Sequence, residues 1–179
     1  MRKALYILGQ LNDADIQWLA HNGRTRQLRD GEIVIHEGRP IDAIFVNLEG
    51  ALSVTLGDGV EVARLGAGEF VGEISFVDSA PPSATVKGAG RASVLEIKRA
   101  AIQRKLAEDV GFSARFHRAL AVFLADRLRA SNRRLGYGKQ GDLDSDVMLE
   151  GELDSTVLDT VAQAGERFRR LLGMLAAAG

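Results

Sequence analysis

The chain has no cysteine, which removes disulfides, zinc–thiolate centres, iron–sulfur clusters and thiol catalysis together. It also lacks a net charge worth the name: the formal value is −1 and the pI is near 6.3. No global field therefore draws it toward nucleic acid or an anionic membrane. No apolar run approaches the roughly 18 residues a membrane span needs, and Asp13 and Asp15 follow the N-terminal patch too soon for a secretion signal. A cytoplasmic protein is expected. Missing as well are a serine nucleophile elbow, a P-loop and an HExxH pair, and His21, His36 and His117 share no ligand spacing. We expect no enzyme and no metal site.

Between Arg24 and Lys98 lie runs of β-prone residues: EIVIH, AIFVNL, ALSVTL, VEVARL, ATVKG and ASVLEIK. Glycine divides them, and strands at such close spacing point to a sandwich, roll or jelly roll. Asp58-Gly59 predicts a two-residue type I′ hairpin. Alternation in Leu52/Val54/Leu56 and Leu95/Ile97 predicts sheets with one buried face. The fold class expected is α+β, mainly β: an antiparallel jelly roll with an N-terminal helix and a long helix after the strands.

The boundaries follow from changes in period. Residues 1–23 form a helical segment, started by Asn12 and Asp13 and ended at Asn22-Gly23. Residues 24–110 hold the roll and a first helix, RAAIQRKLAEDV. Residues 111–135 form a long helix whose stripe runs through Phe112, Phe116, Ala119, Leu120, Phe123, Leu124, Leu128 and Leu135. Its cover is either the protein's own roll or the same helix of a second chain, and the zipper-like spacing favours a homodimer. Residues 136–154 form a linker with six acidic side chains in 142–154. Asp142, Asp144 and Asp146 mimic an EF-hand start, but Val147 and Leu153 stand where glycine and glutamate are required. Residues 155–179 form an amphipathic helix that folds by docking, since Gly165 and Gly173 lower its propensity.

One stretch departs from this texture. Residues 68–86 read GEFVGEISFVDSAPPSATV, with Gly72-Glu73 opening a short helical turn and Pro81-Pro82-Ser83-Ala84-Thr85 leading into a strand. The glycines of LGAGEFVGE are one residue too widely spaced for a dinucleotide loop. A one-turn helix exposes unsatisfied N–H groups at its start, and small residues let further amides approach an anion.

This frame and the order of elements over about residues 10–135 resemble the cyclic nucleotide-binding domain of the catabolite-activator type. The resemblance implies a ligand such as cAMP or another cyclic nucleotide, no other cofactor, and a binding set of Gly72, Glu73, Ile74, Ser83 and Ala84. It assigns Glu73 to a ribose hydroxyl and places Ser131 and Asn132 of the long helix against the base. It also shows a departure: the family's phosphate-pairing arginine falls at Pro82, which supplies neither cation nor N–H. Lys87, Arg64 or Arg91 could replace it, or the pocket could take another ligand such as a cyclic dinucleotide or an uncharged metabolite, or no ligand.

A winged helix-turn-helix needs roughly 60–70 further residues, and 44 follow Leu135. DNA binding is not expected, and the cluster of Arg127, Arg129, Arg133, Arg134 and Lys139 reads as a solvated helix end. The expectation is a dimeric regulatory or sensor module with no nucleic-acid or membrane partner. Its alternative is a ligand-free adaptor whose 155–178 helix binds a partner protein.

Overall fold

The computed structural model describes residues 5–134 and 155–177. The acidic linker expected at 136–154 lies outside the described residues. Two helices, α1 (Leu5–Gln10) and α2 (Asp13–Asn22), precede eight strands. These are β1 (Gly23–Leu28), β2 (Ile33–Ile35), β3 (Ala43–Glu49), β4 (Leu52–Thr55), β5 (Glu61–Leu65), β6 (Phe70–Val71), β7 (Thr85–Gly88) and β8 (Ala92–Lys98). Helix α3 (Glu73–Asp78) interrupts the strands after β6. After β8 come α4 (Arg99–Glu108), α5 (Val110–Arg134) and α6 (Ser155–Ala177).

The strands form two four-stranded antiparallel sheets, ordered β1-β8-β3-β6 and β2-β7-β4-β5. The jelly-roll expectation holds. The expectation of one buried face fails for β3 and β8, where Ala43–Leu48 and Ala92–Leu95 are buried without a break. Alternate residues enter different cores: Phe45 and Val94 face the other sheet, while Val46 and Leu95 face the helices. A strand covered on both sides has no reason to alternate in polarity.

The Asp58-Gly59 hairpin also differs in kind. Leu56 and Val60 pair through a 3.1 Å bond, and Gly59 N–H closes a turn onto the Leu56 carbonyl at 2.7 Å. Only Gly59 of the two has positive φ, at 83°. This is a three-residue connection with glycine in the left-handed position, and it avoids placing Asp58 there.

Helix α2 begins with a reciprocal cap, the Asn12 carboxamide oxygen accepting from Asp15 N–H at 2.9 Å and the Asp15 carboxylate from Asn12 N–H at 2.8 Å. The same carboxylate is buried and accepts two bonds from the Arg115 guanidinium, at 2.6 and 2.9 Å. Within the helical segment expected at residues 1–23, a separate helix α1 ahead of the Asn12 start was not singled out. Six residues do not hold a helix alone, and α1 exists because Ile7 and Leu8 are wholly buried against α5 and α6.

The stripe of the long helix from Phe112 to Phe123 is covered by its own chain. Phe112, Phe116, Ala119, Leu120 and Phe123 are all buried in the core that joins the helices to the first sheet. Leu120 and Phe123 thus offer no free surface to a second copy. The large apolar side chains that α5 exposes, among the described residues, are Val110 and Leu128. Helix α6 docks on α1 and α2, burying Ala164 and Leu171. Arg167 donates to the carbonyls of Leu8 and Gly9, at 3.3 and 2.8 Å, and Arg170 pairs with Asp13.

Candidate functional site

The stretch 68–86 forms one wall of a cavity of about 720 Å³ that opens into the roll. Gly72 begins the wall with φ of 88°, and a Cβ there would meet Ile41 Cδ1 at 2.8 Å and the Ala43 carbonyl oxygen at 3.0 Å. Glycine is required by conformation and by space. The turn it makes sends Glu73 inward, where the side chain is only 1% exposed, and starts α3. That helix ends at Ser79, the single non-glycine residue with positive φ (59°) among the described residues, whose N–H returns to the Ser75 carbonyl at 3.1 Å.

Beyond it the proline pair runs along the cavity edge. The Pro82 carbonyl accepts from Gly38 N–H at 2.8 Å, and the Thr85 hydroxyl accepts from Glu37 N–H at 3.2 Å. These bonds tie 82–85 to the β2–β3 loop. Ser83 is exposed and Ala84 half-buried, and both line the cavity together with Ile74. The inner lining is apolar: Ile35, Val54, Ala63, Leu65, Val71 and Val86 come from strands, and Phe123 from α5.

The structure therefore gathers five of the seven expected residues, Gly72, Glu73, Ile74, Ser83 and Ala84, at one cavity. The side chains of Ser131 and Asn132 lie outside the described residues. Of the three expected replacement cations, only Arg64 borders the cavity. Its register places it across from Ser53, which also faces Lys87, while Val54, Ala63 and Val86 form the row beside it that lines the interior. Pleating thus puts Arg64 and Lys87 on the outer face. There the Glu61 carboxylate accepts from the Ser53 hydroxyl at 2.6 Å and from Arg64 Nε at 3.3 Å. The Ser53 hydroxyl, and after it Arg64, holds the Glu61 carboxyl below its ordinary range.

Two residues that sequence reasoning did not assign to the site help to build it. Phe123, read as stripe or zipper, reaches the cavity wall. Arg99, the first residue of α4, donates to the Ser75 carbonyl at 2.8 Å, the Phe76 carbonyl at 3.2 Å and the Ser79 hydroxyl at 2.8 Å. It also lies over the Phe76 ring at 5.2 Å, and Phe76 meets Phe116 of α5 edge-on at 5.7 Å. The end of α3 is thereby fastened to both following helices. No sequence signal marks Arg99, because its partners lie 20 or more residues away.

A glycine-started α3, a buried glutamate and a proline-led return into β7, all walling a hollow roll, coincide with a family model. The cyclic nucleotide-binding domain model matches residues 25–109. Residues 25–109 belong to the cyclic nucleotide-binding domain family. A crystal structure of a cyclic nucleotide-binding domain from Methylobacillus flagellatus superposes with a TM-score of 0.68 at 22% identity, covering 79% of this chain and 85% of that one. A cyclic nucleotide-gated potassium channel of Mesorhizobium japonicum is 36% identical over 80 residues, 45% of this chain and 22% of its own length. Glutaminase 1 of Bradyrhizobium diazoefficiens is 34% identical over 110 residues, 62% of this chain and 18% of its own. The chain spans about a quarter or less of the curated relatives it matches. No helix among the described residues is long and apolar enough to cross a membrane.

Proposed function

We propose that the chain is a ligand-responsive regulatory module that performs no catalysis and binds no DNA. A small molecule of nucleotide or nucleoside size enters the roll, meets Glu73 on one side and the backbone around Ser83 and Ala84 on the other, and biases the long helix through Phe123. The observation that carries this reading is the shared wall: one cavity of about 720 Å³ is lined both by the α3 stretch and by Phe123 of α5. That volume lies within the range of small-molecule sites, roughly 300–1,000 Å³. A ligand shifts a helix only to the extent that it contacts two helix positions differently. Phe123 supplies such a contact, and the Arg99 and Phe76 links carry movement of α3 into the same helices.

Similar domains in relatives named as a potassium channel and as a glutaminase support a module separable from its output. In this chain the output is a homodimer paired along the outer face of 111–135, where Leu128 is exposed.

Thermal unfolding with and without cAMP, cGMP, adenosine and guanosine at millimolar concentration tests the reading. A ligand at 100 times its dissociation constant stabilises by about 2.7 kcal/mol. At least one of these probes is expected to raise the melting temperature of the wild type and to lose most of that effect in Phe123→Leu. A ligand shift that Phe123→Leu leaves intact would remove the proposed link to the helix.

A further inference from the structure

Helix α6 carries two glycines that its docked position does not require. A Cβ added at Gly165 or at Gly173 meets nothing within 4 Å among the described residues, and neither glycine has positive φ. Alanine fits both places, and in a helix interior it favours the helix over glycine by about a factor of five. The seat of α6 is otherwise well made. Ala164 and Leu171 are wholly buried, and Phe168, Leu172 and Leu175 pack against the same core. A firmly packed face is thus combined with a backbone that holds its helix poorly once that face is bare.

The surface beneath α6 is as dependent as α6 itself. Helix α1 has six residues, too few to persist alone. It touches both α5 and α6, and Ile7 and Leu8 are 0% exposed. The Leu8 and Gly9 carbonyls belong to its last turn, where the helix has no N–H of its own to offer them. The Arg167 guanidinium of α6 donates to both, at 3.3 and 2.8 Å. Its Nε also stands 3.8 Å from the carboxylate of Asp13, the first residue of α2, and Arg170 pairs with the same carboxylate. Each of the two helices therefore completes the other: α6 covers and caps α1, and α1 supplies part of the seat of α6. Helix α2 has supports elsewhere, in its own Asn12–Asp15 cap and in Arg115 of α5, which holds the buried Asp15 carboxylate.

We propose that α6 is a releasable strap, and that α1 and α6 undock and unfold as one unit while α2, α5 and the roll stay folded. Proteins open locally in contiguous units whose stability lies below that of the whole fold. Here the unit joins two segments distant in sequence, because each lacks helical stability of its own. Release bares the side of α5 on which α1 sits, together with Ile7, Leu8 and the apolar face of α6.

Hydrogen exchange of the full chain, read by mass spectrometry on peptides covering 5–10 and 155–177, tests the proposal. The amides of α1 and α6 are expected to share one opening equilibrium and to exchange at least about tenfold faster than those of β3 and β8. Gly165→Ala combined with Gly173→Ala is expected to slow exchange in both helices, α1 included, by about twentyfold and to leave β3 and β8 unchanged. Arg167→Met is expected to speed both by about tenfold or more, since it leaves the α1 carbonyls without a charged donor. Slowing confined to α6 in the double alanine variant overturns the proposal, because the substitutions then act on their own helix alone. Exchange of α6 as slow as that of β8 also overturns it, because α6 then opens only with the whole fold.

Discussion

Strands β3 and β8 feed two apolar cores, and the two are filled differently. On the helical side Ile44, Val46, Leu95 and Ile97 meet leucines and aromatics from α1, α2, α5 and α6. Trp18, Phe112 and Phe116 succeed one another at centroid spacings of 5.6 and 5.4 Å, and Phe76 closes the series at 5.7 Å. On the roll side the same strands contribute Ala43, Phe45, Ala92 and Val94, which join Val71 of their own sheet and Leu52 and Val86 of the other in one core. None of those four lines the cavity, whose walls come from β2, β4, β5, β6 and β7, the α3 stretch and Phe123. The comparison teaches that β3 and β8 are packed on both faces and that the hollow lies beyond them, between the second sheet and the α3 stretch.

A matched pair of truncations should separate the two cores most clearly. Leu120→Ala, on the helical side, is expected to cost about 4 kcal/mol, and Leu65→Ala, beside the existing cavity, about 2 kcal/mol. A leucine that already faces open space has fewer contacts to lose. Equal losses in denaturant unfolding would break the contrast between a filled and a hollow core.

The polar fastenings differ in the same sense. Arg115→Met strands the buried Asp15 carboxylate and is expected to cost about 1.5–3 kcal/mol. Arg64→Met, which removes an exposed pair from the roll, is expected to change stability by less than about 1 kcal/mol. Double-mutant cycles on Asp15/Arg115 and Glu61/Arg64 would sharpen the comparison by isolating each pair.

The smallest effect belongs to the joint between α4 and α5. The Asp109 carboxylate accepts from Lys105 Nζ and from Phe112 N–H, each at 2.8 Å, and these bonds, Lys105 first, hold its carboxyl below the ordinary value of 3.8. A depressed carboxyl contributes stability above its unfolded value and loses that contribution as pH falls through its folded value. Asp109→Ala is therefore expected to lower the melting temperature by a small amount at pH 7 and progressively less below pH 4. A difference that stays constant from pH 7 to pH 3 would assign the effect to packing.

Local chemistry explains which parts could be read in advance. Asn12 and Asp15 lie three residues apart and cap one another without help from the rest of the chain. Gly72-Glu73 and the proline pair carry the resemblance that named five site residues within a single stretch, and the structure brings those five to one cavity. The reading that alternation means one buried face failed at β8 because Val94 and Leu95 are both apolar, each for a different core. Arg64, one of three candidate replacement cations, borders the cavity, while its register opposite Ser53 and its pairing with Glu61 place it on the outer row of the strand.

By itself the sequence determined where strands turn, where helices start, that a glycine-led α3 precedes a return into β7, and that no cation stands at position 82. These are properties of backbone freedom and of residue identity, and they need no distant partner. Only the tertiary structure decided that α1 is a helix, that α6 returns to cover α1 and α2, that Arg99 fastens α3, and that Phe123 belongs to the cavity. Each of these depends on contact between segments distant in sequence, from 20 residues for Arg99 and Ser79 to 159 for Arg167 and Leu8. Burial energy of that kind exists only once the chain has closed, and no local window contains it.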